Sequence, residues 1–174
     1  MTTGEIICRL LIAGVCGAIV GINRDLHHKA AGFRTISLVS IGSALVTLTG
    51  TQLTSDPAAV SRIMQGIMTG IGFLGAGVIL HPRAPSRVLG LTTAAAVWLT
   101  AGLGVICGLG LYRIALIGLG VALLALMIGG PIEKFLERIV RKLHGDPKST
   151  MPTSEAGAAE NDAGKPPERR PRPE

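Results

Sequence analysis

The chain has 174 residues, of which 48% are hydrophobic and 16% are charged, and its mean hydropathy is +0.49. These values exclude an ordinary soluble domain. The net charge is +6, although five basic and six acidic side chains nearly cancel within residues 146–174. Because the remaining positive charge flanks apolar segments, it indicates membrane topology rather than nucleic-acid binding.

The first two apolar segments predict transmembrane helices over residues 6–22 and 36–53. In the first span, Ala13, Gly17 and Gly21 recur every four residues, which predicts a face for close helix packing. The second span is rich in Ser and Thr. We expect most of these hydroxyls to bond back to their own helix, and the others remain candidates for a polar path.

One arginine in the first span and the three cysteines of the chain need separate comment. Arg9 is near the outer end of the first span, and we expect its side chain to reach the membrane interface. Cys8, Cys16 and Cys107 show no zinc-binding spacing, and we expect them to be small buried apolar groups. The sequence therefore predicts no metal site, no cofactor and no catalytic residue.

The third apolar segment, residues 63–80, contains the glycine-rich sequence GIMTGIGFLGAGVIL, and we expect Asp56 to cap the helix start before it. Eighteen helical residues span roughly 27 Å, close to the thickness of a bilayer core. Gly70, Gly72 and Gly75 form a GxGxxG pattern, but no strand precedes it, so we expect no nucleotide site. Small residues on two faces predict a helix sandwiched between neighbours. The alternative is a broken helix whose freed carbonyls line a site.

Two more spans are predicted, over residues 89–106 and 114–130, after a basic Pro-containing loop at 81–87. Trp98 lies in the middle of the fourth span. We expect this indole to be buried between helices or to face lipid rather than to anchor at a surface. Core packing is the favoured role, and the alternative is that the indole forms the wall of a site.

The C-terminal part differs from the spans. Apolar side chains after Pro131 recur at helical spacing with basic residues between them, which predicts an amphipathic helix over 132–145 at the membrane surface. Residues 146–174 contain six of the ten prolines and predict a disordered tail. The predicted fold is thus an all-α integral membrane protein: a five-helix transmembrane domain over residues 1–131, an amphipathic helix and a tail.

The distribution of Lys and Arg predicts the orientation. Five spans place the two chain ends on opposite sides of the membrane. The side that holds the C-terminus collects 14 basic residues, and the other side collects three. The positive-inside rule therefore predicts an external N-terminus and a cytoplasmic C-terminus.

Four short motifs follow one another in the chain. They are Gly21-Ile-Asn23-Arg24-Asp25, Ala31-Gly32-Phe33-Arg34-Thr35, Gly70-Ile-Gly72-Phe-Leu-Gly75-Ala-Gly77-Val-Ile79, and Gly90-Leu-Thr92-Thr93-Ala94-Ala95 followed by Trp98. This combination resembles the MgtC/SapB family over about residues 6 to 130, and the short SapB-like members in particular, which lack a folded cytoplasmic C-terminal domain. The family usually has an acidic-Arg-acidic triplet where this chain has Asn23-Arg24-Asp25.

The resemblance implies a multi-pass protein of the bacterial inner membrane that is not an enzyme. Its best-known members are linked to growth in low magnesium and to virulence, and they are thought to restrain the F-type ATP synthase. The lipid bilayer, membrane subunits of ATP synthase and a homo-oligomer are therefore the expected partners, and nucleic acid is not.

Two functional hypotheses remain at this point. The first is a membrane interaction protein that docks a partner through its small-residue faces; the alternative is a transport or channel module for magnesium or another ion. Between Asp25 and Glu133 the only carboxylate is Asp56, which disfavours a cation carrier. The candidate interaction or ion-path residues are Asn23, Arg24, Asp25, Gly32, Arg34, Thr35, Gln65, Gly70, Gly72, Gly75, Gly77, Thr92, Thr93 and Trp98.

Overall fold

The computed structural model describes residues 1–79 and 90–144, and these residues form helices and no strand. The helices are α1 (Thr3–Leu26), α2 (Phe33–Leu53), α3 (Pro57–Ile79), α4 (Leu91–Gly108) and α5 (Tyr112–His144). Each of the five contains a segment long and apolar enough to cross a membrane. The prediction of an all-helical fold with five helices long and apolar enough to cross a membrane is confirmed for the described residues.

Helices α1 and α3 begin before the predicted spans because polar residues at their starts cap them. Thr2 and Glu5 form a capping box at the start of α1. At the start of α3, the Asp56 carboxylate accepts hydrogen bonds from the Ala58 and Ala59 amides at 3.0 and 3.2 Å, directly before Pro57. The predicted cap at Asp56 is confirmed, and α3 therefore begins six residues before the predicted span.

The core is formed by α1, α2 and α4, which pack against one another in every pairwise combination. The small-residue face of α1 is confirmed: a Cβ at Gly17 would lie 2.9 Å from the Ile36 carbonyl oxygen, and one at Gly21 would lie 2.6 Å from the Phe33 Cα. On α4, Gly104 lies against the Ser40 backbone in the same manner. Because a side chain at any of these glycines would separate two backbones, their size determines the spacing of the core helices.

The third helix departs from the predicted sandwich. Helix α3 packs mainly on α4 and has no buried residue among those the structure describes. A Cβ added at Gly66, Gly70, Gly72 or Gly77 would meet nothing within 4 Å beyond the helix backbone itself, while one at Gly75 would touch the Ala94 methyl at 3.7 Å. Within a single copy of the chain, the prediction of two packed small-residue faces is wrong. Helix α3 lies at the edge of the core, so only one of its sides has neighbouring helices.

Hydroxyl groups of α2 follow the predicted pattern in part. Thr47 donates to the Ser43 carbonyl at 2.8 Å, and Thr49 and Thr51 make equivalent bonds within the helix at 2.9 Å. In contrast, the buried hydroxyls of Ser37 and Ser40 have no hydrogen-bond partner in the described part of the chain.

Helix α5 continues beyond Gly129, the last residue of the first compact unit, Met1–Gly129. In the first unit, the buried side chains of Ala115, Leu119 and Ala122 contribute to the core. The helix boundary predicted at Pro131 is absent, because α5 is helical through this residue to His144. The surface location of the amphipathic segment stays a prediction. The predicted tail at 146–174, the basic loop at 81–87 and the ends of the two adjoining spans lie outside the described residues.

The structure corrects the predictions for Trp98 and Cys8 and adds a contact for Arg9. Trp98 is 53% exposed, so it does not pack in the core of this chain. Cys16 and Cys107 are buried as predicted, but Cys8 is exposed. Arg9 donates to the Gly108 carbonyl at 2.8 Å, where α4 ends. This bond satisfies a carbonyl that has no partner within its own helix, so Arg9 links α1 to α4.

Candidate functional site

A buried cation connects the end of α1 to the start of α4. The Arg24 side chain is 4% exposed, and its Nη2 donates to the hydroxyls of Thr93 at 2.7 Å and Thr92 at 3.3 Å. Together with the Arg9–Gly108 bond at the opposite end, this contact shows that α1 and α4 are antiparallel. The structure thus brings together one residue of the first predicted motif and two of the fourth.

The charge of Arg24 has no carboxylate partner within 4 Å among the described residues, whose only ion pair joins Arg62 and Asp56 at 3.7 Å. Its Nε is also buried without a hydrogen-bond partner. A buried charge without a counterion costs several kcal/mol, and the positive end of the α4 dipole adds repulsion. Arg24 therefore creates a strongly electropositive position at the start of α4.

The neighbouring carboxylate has a different role. Asp25 is exposed, and its Oδ2 accepts a hydrogen bond from the Phe33 amide at 2.8 Å. Gly32, directly before α2, has no side chain that could cap the helix, and Asp25 packs against it. Asp25 thus caps α2 from the preceding helix and compensates the positive end of its dipole.

A groove lies between α2 and α3, with a volume of about 570 Å³. We call it the α2–α3 groove; its lining residues are Thr35, Leu38, Val39, Gly42, Ser43, Val46, Gly66, Ile67, Gly70, Ile71 and Leu74. No charged side chain lines it. Glycines on both helices widen it, because Cβ positions at Gly42 and Gly70 meet no other atom within 4 Å. The groove can therefore accommodate an apolar segment whose backbone approaches the backbones of α2 and α3.

The other predicted site residues do not converge. Asn23 is partly exposed, and its carbonyl accepts a hydrogen bond from His27 Nδ1 at 2.7 Å. Arg34 and Gln65 are exposed and make no ion pair or side-chain hydrogen bond among the described residues. Gly72, Gly75, Gly77 and Trp98 line neither the groove nor the Arg24 contact. Thr35 and Gly70 are the two predicted residues that meet in the groove.

Sequence reasoning missed several residues that the structure makes important. Gly104 and Gly108 pack on the backbones of Ser40 and Ala44, and their spacing of four residues was a detectable signal of the same kind as Gly17 and Gly21. Ser43, which is 5% exposed and lines the groove, had no signal that set it apart from the other Ser and Thr residues of α2. Residues 1–79 and 90–144 contain no group of three His, Cys, Asp or Glu side chains placed to hold a metal ion.

A family model and individual known proteins both match this chain. A model of the MgtC family matches residues 10–135. Protein SrpB of Synechococcus elongatus is 46% identical over 130 residues, which are 68% of this chain and 71% of SrpB. Protein MgtC of Salmonella typhimurium is 46% identical over 110 residues, which are 63% of this chain but 46% of that protein. The chain therefore spans about half the length of this relative. No solved structure matches the chain.

Proposed function

Because the chain belongs to the MgtC family, we propose that this multi-pass membrane protein acts in the bacterial inner membrane by protein–protein contact within the bilayer. In this proposal it has no catalytic activity. Its C-terminus lies in the cytoplasm and its N-terminus outside, as the excess of Lys and Arg in the corresponding loops predicts.

One observation carries the proposal: most glycines of α3 are not covered by the part of the chain that the structure describes. Four of the five between Gly66 and Gly77 have open space at the Cβ position within the described structure. In lipid, helices associate where small residues let two backbones approach, since apolar burial gives no driving force between helices. Gly66 and Gly70 line the α2–α3 groove and give it this property, so the groove is available for another helix, whereas Gly72 lies outside it.

The occupant that we propose is a transmembrane helix of the membrane sector of the F-type ATP synthase. An apolar helix with small residues fits an uncharged groove whose one deeply buried polar lining residue is Ser43. Restraint of that enzyme is the activity ascribed to the best-known family members, and it would link this chain to growth in low magnesium and to virulence. A second copy of this chain is the competing occupant.

Co-purification tests this proposal. Tagged protein should retain membrane subunits of ATP synthase after detergent extraction, and Gly70→Leu should abolish retention because it fills the groove. Gly72→Leu is the matched control: it adds the same side chain two residues away on α3, outside the groove, and should retain the subunits. Equal retention by both variants, or crosslinks only between copies of this chain, would contradict the proposed partner.

The alternative of an ion transport module is weakened by Arg24. The hydroxyls of Thr92 and Thr93, which were candidates to line an ion path, accept hydrogen bonds from this fixed cation, which repels Mg²⁺. Purified protein in liposomes should therefore pass no Mg²⁺. A Mg²⁺ flux that Thr92→Val reduces would favour transport over docking.

A further inference from the structure

Two helices begin at the same end of the core, and they differ in how the positive end of each helix is compensated. At the start of α2, the Asp25 carboxylate accepts from the Phe33 amide. At the start of α4, Gly90 stands in the left-handed conformation with φ of 91° and has no side chain to cap the helix. The first amides of a helix have no partner in their own helix and attract anions. Among the residues that the structure describes, none supplies the start of α4 with a carboxylate like the one at α2.

The start of α4 also carries a second, independent feature that attracts an anion. Arg24, more than nine-tenths buried and with an unpartnered Nε, directs Nη2 at the hydroxyls of Thr92 and Thr93. Each hydroxyl accepts from Arg24 with a lone pair and keeps its proton for donation. Thr92 is exposed, so its hydroxyl can reach a ligand from outside.

The geometry points to a binding site for a phosphate group at the start of α4. The phosphate would accept hydrogen bonds from the Thr92 hydroxyl and the first-turn amides of α4, while Arg24 supplies the balancing positive charge from behind. Phosphate fits because it accepts several hydrogen bonds at once and is the anion present in quantity where transmembrane helices end. Lys29, an exposed basic side chain at this end, adds to the attraction.

The phosphate can belong to the headgroup of an anionic lipid or to free inorganic phosphate. A lipid headgroup would hold α4 at the depth of the membrane surface, whereas free phosphate would make the protein responsive to the solute. Both sources use the same protein groups, so one set of variants serves for both.

The experiment measures thermal unfolding of the full-length protein with each source. In uncharged detergent, sodium phosphate is titrated against sodium chloride at constant ionic strength; in nanodiscs, phosphatidylcholine is compared with phosphatidylcholine containing phosphatidylglycerol. A ligand that binds the folded state raises the midpoint with its concentration, which yields a dissociation constant. Stabilisation in detergent assigns the site to free phosphate, and stabilisation only in phosphatidylglycerol nanodiscs assigns it to a lipid headgroup.

Three variants locate the effect. Arg24→Gln should weaken phosphate binding by roughly tenfold or more, because it removes the positive charge that balances the phosphate, and an interaction between ionised groups contributes about this much to affinity. Thr92→Val should weaken phosphate binding by about threefold to tenfold through loss of one hydrogen bond. Thr92 is exposed and valine has the same shape as threonine, so this variant should fold. It therefore tests the site even if Arg24→Gln does not fold. Arg34→Gln removes an exposed charge at the same end and should leave affinity within about twofold.

Two results would overturn the site. One is a midpoint that neither phosphate nor phosphatidylglycerol raises. The other is equal affinity of wild type and Thr92→Val, or a loss in Arg34→Gln as large as in Thr92→Val, since either would show attraction by diffuse charge.

Discussion

The interface between α2 and α4 and the α2–α3 groove both contain closely spaced glycines, yet only the first brings two backbones together. Gly104 and Gly108 lie against the backbones of Ser40 and Ala44, whereas Gly66 and Gly70 face open space. The residue type is the same in both regions, so the presence of an opposing helix makes the difference. A glycine in a membrane helix can serve the fold of its own chain or remain available for a partner.

The largest effect is expected from Gly104→Ala. The added methyl group would overlap the Ser40 carbonyl oxygen, and neither backbone can move without displacing a core helix. We expect a loss of about 3 kcal/mol in the free energy of unfolding, measured by circular dichroism during titration with a denaturing detergent. Gly102→Ala, on the same helix with open space at its Cβ, is the control and should not be destabilised. Similar losses in both would mean that the contact with Ser40 is unimportant.

Gly21→Ala should have the next largest effect, about 2 kcal/mol, because its methyl group would approach the Phe33 Cα at 2.6 Å, where α2 begins. The same unfolding titration measures it. Gly14→Ala provides the comparison, since its nearest neighbour is the Ile41 side chain at 3.3 Å, which can rotate away. A milder effect for Gly21→Ala than for Gly14→Ala would contradict the close approach of α1 to α2.

Gly70→Ala should leave stability unchanged or raise it by up to about 1 kcal/mol, since alanine favours the helix and meets no neighbour. The measurement is made on monomeric protein in detergent. Destabilisation as large as that of Gly104→Ala would show that α3 is packed after all, and the contrast between the two regions would disappear.

Ser40→Ala should have the smallest effect, within about 0.5 kcal/mol of zero. Its hydroxyl is buried without a partner, so removal sacrifices no hydrogen bond, and alanine keeps the Cβ that packs near Gly17. Thr47→Val, which removes the bond to the Ser43 carbonyl, should destabilise more in the same titration. The reverse order would indicate a hydrogen bond at Ser40.

Part of the candidate site could be predicted from the sequence. The motif containing Asn23, Arg24 and Asp25 and the pair Thr92 and Thr93 were both identified, but the structure joins the threonines to Arg24 instead of to its neighbours. Residues 23–25 point in three different directions on one helix turn. Which of the three side chains meets α4 depends on how α1 is rotated in the core, and no local pattern specifies that rotation.

The sequence by itself determined that five helices are long and apolar enough to cross a membrane, that Asp56 caps the third and that Ala13, Gly17 and Gly21 form one face. These properties depend on composition and on helical periodicity, which are local. Only the tertiary structure decided that α3 lies at the edge of the core, that Arg24 is buried at the start of α4 and that Trp98 does not pack in the core. These follow from the order in which the helices pack, and that order depends on contacts between residues distant in the chain.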